Sequence, residues 1–308
     1  MRLQTAKREG RLALMCRHYQ IYLLLLPTLT YFLLFKYAPM YGLQMAFRNY
    51  NTGLGIWNSA WVGLKYFERV LARPYFYQVL SNTLTISLTS LIVGFPLPVL
   101  FALMLNEMRG GFWKKTVQTV TYAPHFISTV VVAAMVTIFT SPAYGIINKF
   151  IELFGGTAVN FMMRPSCFVP IYVISGVWQN MGWNAIIYVA ALAAVDPALH
   201  ESAMIDGASR LQRVININIP CILPTIIVML ILQTGSLLNV GFEKVFLLSN
   251  DAVLERSEVI STYTYRIGIT GAQFSQSTAI GLFNSVVQFI MLVLVNTLSR
   301  RLSETSLW

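Results

Sequence analysis

Long apolar runs separated by short polar segments dominate the chain. Each run is close to the length of roughly 20 residues that carries an α-helix across about 30 Å of hydrocarbon. We therefore predict six transmembrane helices, over residues 19–38, 82–105, 117–140, 168–195, 221–248 and 278–298. The runs do not alternate between apolar and polar residues, so they indicate helices rather than the strands of a membrane barrel.

One polar segment, "DPALHESAMIDGASRLQRVININIP" at 196–220, is longer than a connection between adjacent spans requires. We call this segment the knob. Asp196 followed by Pro197 is typical of a helix start, because Asp caps the first turn and Pro fits its first position. Gly207 is typical of the left-handed residue that ends a helix. The pattern predicts a short helix from Pro197 to about Asp206, followed by a turn.

A second short helix is predicted after this turn. The stretch "ASRLQRVINI" places Leu211, Val214 and Ile215 on one helical face. Pro220 and Pro224 are expected to end this helix and to begin the fifth span. The knob is therefore predicted to be a helix–turn–helix of fixed shape.

Two further segments predict short helices that lie along the membrane surface. The segment 39–81 contains "WNSAWVGLKYFERVLARPYFYQVLSNT", whose aromatic residues favour the membrane interface. The stretch "SPAYGIINKFIELFGG" at 141–156 predicts another such helix, ended by Gly155.

The composition places the chain among integral membrane proteins. Of its 308 residues, 56% are apolar and 11% are charged, and the mean hydropathy is +0.61. Soluble domains are about 25% charged. No linker or low-complexity stretch divides the chain, so we expect a single domain.

The distribution of Lys and Arg predicts the orientation in the membrane. If the N-terminus is inside, the inner segments 1–18, 106–116, 196–220 and 299–308 hold 12 basic residues in 64 positions, against 8 in 99 for the outer segments 39–81, 141–167 and 249–277. This excess favours an arrangement with both termini and the knob in the cytoplasm. The net charge of +10 reflects these loops and does not indicate a nucleic-acid partner.

Sequence motifs for catalysis are absent. The sequence has no G-x-x-x-x-G-K-[ST] phosphate loop, no H-E-x-x-H pair and no G-x-S-x-G elbow. Cys16, Cys167 and Cys221 are too few and too scattered for a disulfide framework or a metal site. We therefore predict that the chain is not an enzyme and binds no metal or cofactor itself. Energy for transport must then come from a partner or from an ion gradient.

The knob resembles the cytoplasmic "EAA" motif of bacterial ABC importer permeases. That motif reads Glu-Ala-Ala, then Gly after three further residues, and Ile-x-Leu-Pro about nine residues later. The matching residues here are Glu201, Ala203, Gly207, Ile217 and Pro220. Ser202 and Ile219 depart from the pattern by mild replacements, and the position between the fourth and fifth of six spans agrees.

The resemblance extends over nearly the whole chain. The stretches "PMYGLQMAFRNYN", "WVGLKYF", "SNTL", "ALMLNEMR", "QTVTYAPHFIS" and "IYVAALAAVDPALHESAMIDGAS", and the ending "RRLSETSLW", are similar to permeases of the carbohydrate-uptake group, in its polysaccharide-type branch. This implies an all-α integral membrane fold with six transmembrane helices of the type I ABC importer permease kind. Its permease domain would be residues 19–298, between cytoplasmic segments 1–18 and 299–308.

The resemblance also implies partners and a coupling role for the knob. The expected partners are a second homologous permease, two copies of an ABC ATPase that holds ATP and Mg²⁺, an extracytoplasmic solute-binding protein and an oligosaccharide, in a bacterial inner membrane. The residues implied to couple the chain to the ATPase are Glu201, Ser202, Ala203, Asp206, Gly207, Ala208, Ile217 and Pro220.

Polar and aromatic groups inside the spans are the candidates for a sugar path. Amides exchange hydrogen bonds with sugar hydroxyls, and aromatic rings stack on sugar C–H faces. We predict that the path is lined by Trp178, Trp183, Gln233, Asn239 and Glu243. The alternative for each residue is a helix–helix hydrogen bond or a place in an interfacial Trp belt.

Two other functions remain open on the sequence alone. An ion-coupled secondary transporter of small solutes usually keeps ionisable groups near the membrane midplane, and the predicted spans contain one acidic residue, Glu243. An intramembrane enzyme would need a catalytic constellation, which the sequence does not contain. Co-purification of an ATPase with the chain would distinguish an ABC importer from an ion-coupled transporter.

Overall fold

The structure, a computed structural model, describes residues 19–108 and 110–303, and side chains as far as residue 300. The predicted cytoplasmic segment 1–18 and the end of the predicted C-terminal tail lie outside the described residues. The described chain is all-α, as predicted, and its only extended pairings are two isolated bridges. The helices are α1 (Tyr19–Phe47), α2 (Gly55–Asn58), α3 (Lys65–Leu71), α4 (Pro74–Glu107), α5 (Phe112–Phe126), α6 (Thr129–Phe139), α7 (Ile146–Leu153), α8 (Pro165–Ala193), α9 (Pro197–Ile205), α10 (Arg210–Gly235), α11 (Phe242–Leu248), α12 (Leu254–Ser257), α13 (Ile260–Tyr265) and α14 (Phe274–Ser303).

Four of the described helices are long and apolar enough to cross a membrane: α1, α4, α10 and α14. Two bent pairs raise the number to six if each pair is taken as one span. The axes of α5 and α6 differ by 100°, and those of α8 and α9 by 70°. All six predicted apolar runs therefore fall on helices.

The third run is not the single straight span that we predict over 117–140. A 3-10 turn at Ala123–Phe126 closes α5, and Ser128 then caps α6 by accepting a hydrogen bond from the Val131 amide at 3.4 Å. Pro124 sits in the closing turn, where its missing N–H does not interrupt a helix interior. The chain therefore turns sharply within the run.

The fifth span also differs from its predicted bounds of 221–248. It begins at Arg210, within the knob, and ends at Gly235. Pro220 and Pro224 do not break it, because a π-helical turn at Val214–Asn218 widens the helix just before Pro220 and accommodates the ring. The predicted second knob helix is therefore the first part of α10. After Gly235 the chain turns and forms the separate short helix α11.

The longest internal helix, α8, lies at the centre of the fold and packs against α4, α5 and α10. Towards the end that leads to the knob, Ala102 of α4, Ala185 and Tyr188 of α8 and Ile222 of α10 form one apolar cluster. A second cluster, around Ile86, Phe168, Val245 and Val259, joins α4 and α8 to α11 and the segment that follows it. In contrast, no residue between Tyr19 and Met40 of α1 is buried by the rest of the described chain.

A buried ion pair fixes the segment between α12 and α13 to the start of α4. Glu258 is 2% exposed, and Arg266 donates to both of its carboxylate oxygens at 2.7 Å. The Tyr75 hydroxyl also donates to this carboxylate, and the side-chain amide of Asn82 donates to the Glu258 carbonyl at 3.1 Å. The hydrogen bond with Glu258 raises the pKa of the Arg266 guanidinium above its usual value. Every partner of the buried carboxylate is therefore a donor, as a buried charge requires.

The two segments predicted to form short surface helices do form them. Residues 39–81 contain α2 and α3, with Trp57 and Trp61 exposed. Residues 141–156 contain α7, and Gly155 follows it with φ +79°, in the left-handed region. Asn148 of α7 is 1% exposed, and its side-chain amide bonds the backbone of Thr140, Ser141 and Val159.

The predicted orientation has a direct test in single-cysteine labelling. In a chain without its three native cysteines, Thr157→Cys should react with a membrane-impermeant maleimide in intact cells, and Arg210→Cys only after permeabilisation. Both native side chains are exposed, so each thiol is accessible on its own side. Asn148 does not suit this test because its side chain is buried. Labelling of Arg210→Cys from outside would contradict a cytoplasmic knob.

Candidate functional site

A polar cavity of about 440 Å³ lies between α4, α8, the end of α10 and the turn that follows it. Hydroxyl, amide and ammonium groups converge on this cavity from all of these elements. Its polar side chains are Ser87, Ser90, Gln179, Asn180, Asn184, Gln233, Ser236, Asn239 and Lys244.

The local sequence explains how each wall presents polar groups. Ser87 and Ser90 are three residues apart, so they share one face of α4. On α8, Gly176, Asn180 and Asn184 follow one another at four-residue spacing and likewise share a face. The early end of α10 places the turn 236–241 beside these faces, instead of a further length of apolar helix.

Lys244 is the charged residue in the lining of this cavity. It is 8% exposed, and its ammonium donates to the Tyr172 carbonyl at 3.0 Å. The same ammonium lies 4.8 Å from the centre of the Tyr172 ring, within the range of a cation–π contact. Gly176 leaves room for it, since a Cβ there would lie 3.2 Å from the Lys244 nitrogen.

Two of the five residues that we predict to line a sugar path reach this cavity, namely Gln233 and Asn239. Glu243 is exposed and lies outside the lining. Trp178 lines a separate, largely apolar cavity of about 510 Å³ between α6, α7 and α8.

Trp183 has a structural contact at the bend between α5 and α6. Its ring stacks on His125, with centres 4.4 Å apart and planes within 5°. The other face of the bend is held by Gln179, whose side chain donates to the Ile127 carbonyl at 3.0 Å. These contacts fix the bend against α8.

Sequence reasoning missed Lys244, Ser87 and Ser90. Lys244 directly follows Glu243 and was interpretable as one half of a neutralised pair at a span end. Consecutive residues of a helix point in different directions, however, so the two side chains cannot pair across one turn. An isolated Lys inside "NVGFEKVFLL" is the signal that points to a buried functional cation.

The knob has the start and the turn that its sequence predicts. Asp196 caps α9 by accepting a hydrogen bond from the Ala198 amide at 2.9 Å. Gly207 has φ +79°, and Ser209 and Gln212 form a reciprocal capping box that starts α10. The knob is therefore a rigid corner in which α9 leaves α8 at 70° and α10 returns.

The outer surface of the knob is apolar with an acidic edge. Leu199, Met204 and Ile205 of α9 are exposed, Ile205 to 86%, and so is Leu211 of α10. The carboxylate of Glu201 is exposed. Of the other residues implied to couple, Ser202, Asp206, Gly207 and Pro220 are exposed, and Ala203, Ala208 and Ile217 are half-buried.

The predicted shared face of Leu211, Val214 and Ile215 does not exist. Leu211 and Ile215 are exposed, whereas Val214 packs inward against the cluster around Tyr188. The π-helical turn rotates the side chains away from ordinary 3.6-residue spacing. Within the described residues, no group of three or more His, Cys, Asp or Glu side chains is arranged to hold a metal ion.

Comparison with known proteins relates this architecture to membrane transport. Residues 94–304 match the family described as the binding-protein-dependent transport system inner membrane component. The chain is 43% identical, over 98% of its length and 94% of the relative's, to the polygalacturonan/rhamnogalacturonan transport system permease protein YteP of Bacillus subtilis (strain 168). It is 41% identical to protein LplB of the same organism, over 99% and 96% of the two lengths.

A solved structure shares the fold. The structure titled as a bacterial alginate ABC transporter in complex with alginate pentasaccharide-bound periplasmic protein contains a chain that is 42% identical to this one. The two superpose with a TM-score of 0.90 over 97% of this chain and 100% of that chain.

Proposed function

Because the chain belongs to the family of binding-protein-dependent transport system inner membrane components, we propose that it is the permease subunit through which a bacterial ABC importer passes oligosaccharides across the inner membrane. The relatives named above transport or bind polygalacturonan, rhamnogalacturonan or alginate, according to their names. The chain itself is a multi-pass membrane protein and a transport component, without a catalytic role of its own.

The knob is the observation that carries the proposal. It is a short capped helix set at 70° to α8, with an exposed apolar tip at Met204 and Ile205 and a small-residue turn at Gly207. Exposed apolar side chains on a rigid helix outside the spans are typical of a protein docking surface. We infer that this surface seats in a cleft of a cytoplasmic ATPase and passes its movement to α8 and α10, which are continuous with the knob's two ends.

The remaining partners follow from the same assignment. ATP and Mg²⁺ would be held by two copies of the ATPase, because this chain has no phosphate loop. A second, homologous permease would complete the translocation path, and an extracytoplasmic binding protein would deliver the sugar. The unburied residues 19–40 of α1 then face lipid or this second permease.

The polar cavity is the proposed place of sugar passage in this subunit. Amides and hydroxyls of Gln233, Asn239 and Ser90 provide hydrogen bonds for sugar hydroxyls. No Asp or Glu lies among the residues that line it. An ion-coupled carrier would use such an acid to bind its proton or sodium ion, so the cavity favours the ATP-driven alternative.

Purification of the tagged chain from its native membrane tests the proposal. We expect an ATPase and a second permease to co-purify in mild detergent. In reconstituted vesicles, uptake of an oligosaccharide should require ATP and the binding protein, and should persist when a protonophore removes the proton gradient. A chain that purifies alone, with uptake that stops on addition of the protonophore, would instead establish an ion-coupled transporter.

A further inference from the structure

The ammonium of Lys244 is buried without an acidic neighbour. No carboxylate of the described residues lies within 4 Å of it, whereas the buried Glu258 elsewhere in the chain is paired with Arg266. One of its three N–H donors is used by the Tyr172 carbonyl. A buried cation is costly unless it is paired, so the remaining donors call for an anion that the described chain does not supply.

The groups that face this ammonium are neutral on every side. Tyr172 and Gly176 of α8 lie against it, and Gln233, Asn239 and Ser236 line the same cavity from α10 and its following turn. The neighbouring Glu243 is exposed and outside the cavity. The ammonium thus gives the cavity a single fixed positive charge.

Hydroxyl groups across the cavity also lack partners. The Oγ atoms of Ser87 and Ser90 are buried and accept or donate no hydrogen bond within the described residues. Ser87 is 7% exposed and Ser90 lies one helical turn further along α4. A ligand that satisfies both walls must therefore carry a negative charge and, beside it, hydroxyl groups.

We propose that this cavity binds a uronic acid residue of the transported oligosaccharide, with Lys244 pairing with the carboxylate and Ser87 and Ser90 hydrogen bonding the ring hydroxyls. This inference rests on the proposed function and names its substrate as an acidic oligosaccharide. A carboxylate fits better than a phosphate, because one ammonium balances one negative charge, and the lining contains no Arg to bind a phosphate in bidentate fashion.

Charge-retaining and charge-removing variants test the role of Lys244. In the reconstituted complex with its binding protein, Lys244→Gln should lower the initial rate of trigalacturonate uptake about tenfold or more, because the carboxylate loses its counter-charge. Lys244→Arg should retain most of the rate. The matched control is Lys149→Gln, which removes the same charge from an exposed position on α7 and should leave uptake unchanged. Retention of the ATPase and an unaltered unfolding temperature establish that each variant is assembled.

A second measurement detects binding at the cavity without the binding protein. Ser236 is exposed and lines the cavity, so Ser236→Cys in the complex without native cysteines should react with N-ethylmaleimide. Trigalacturonate should slow this alkylation several-fold when Lys244 is present and not when it is replaced by Gln. Neutral galactotriose at the same concentration should affect both forms equally.

The outcomes separate this inference from the proposed function. If the wild-type complex imports trigalacturonate but Lys244→Gln imports it as well as Lys149→Gln does, Lys244 does not recognise the carboxylate, although the chain remains a permease. Equal protection by trigalacturonate in both backgrounds, or protection in neither, would overturn the inference in the same way. If the assembled wild-type complex imports no oligosaccharide, the proposed function itself fails.

Discussion

Replacement of Gly207 by Asp is expected to abolish oligosaccharide uptake while leaving the transmembrane fold intact. Gly207 has φ +79°, and a Cβ built on it has no heavy atom within 4 Å. The substitution therefore creates no clash inside the described chain. Its internal cost is the left-handed backbone alone, about 1 kcal/mol.

The effect should arise where the knob meets the ATPase. Gly207 is exposed and lies between the apolar tip at Ile205 and the cap at Ser209. A carboxylate at this turn adds bulk and charge to a surface that must approach another protein closely, and an unpaired charge at such an interface costs several kcal/mol. ATPase binding, or its coupling to transport, should be lost.

The measurement is ATPase retention on the purified complex, together with substrate-stimulated hydrolysis and uptake in vesicles. Gly155→Asp is the matched control, because Gly155 also has φ +79°, also follows a short helix and also has open space around its Cβ position. It lies on the segment predicted to face outward, so it should retain the ATPase. Wild-type values for all three readouts in Gly207→Asp would show that the knob is only a connecting loop.

Replacement of Gly182 by Ala is expected to destabilise the chain strongly, although Ala usually stabilises a helix relative to Gly. Gly182 lies within α8, where it faces the last turns of α5. A Cβ there would overlap the backbone carbonyl group of Thr121 and would lie 3.0 Å from the ring of Tyr122. A backbone atom cannot rotate aside as a side chain does, so α5 and α8 must separate.

The displacement should loosen the bend between α5 and α6, which depends on the contacts of Trp183 and Gln179 next to Gly182. We expect a loss of about 1–3 kcal/mol in the free energy of unfolding, typical of an overpacked core. The helix preference of Ala offsets at most about 1 kcal/mol of this.

Thermal unfolding of the purified complex in detergent measures the effect. Gly281→Ala is the matched control: it is also in a long helix, α14, and its added Cβ meets nothing within 4 Å, so it should leave the midpoint unchanged or slightly higher. Equal midpoints for the two variants would contradict close packing of α5 on α8.

Local signals made the knob predictable. The side chain of Asp196 bonds an amide two residues away, and the left-handed conformation of Gly207 requires no distant contact. Such short-range preferences act in any tertiary environment, so the start and the end of α9 were predictable from the letters. The same holds for the end of α7 at Gly155.

The bounds of the fifth span were not predictable in this way. Apolar composition continues from 221 to 248, but the chain turns after Gly235 because α11 packs into the cluster formed by Ile86, Phe168 and Val259, which are distant in sequence. Proline signals were also misleading at Pro220, where a π-helical turn accommodates the ring. Packing and a change of helix type therefore outweighed the local pattern.

The sequence by itself determined that this protein is a helical membrane protein with a capped cytoplasmic-type knob, because hydrophobic length and capping residues act locally along the chain. Only the tertiary structure decided which polar side chains meet. It turned Lys244 into the cavity and left Glu243 outside, placed Trp183 on His125 at the bend, and brought Ser87 and Ser90 opposite the turn after α10. Side-chain direction depends on where a helix ends and on what packs against it, and those contacts join residues that the sequence keeps far apart.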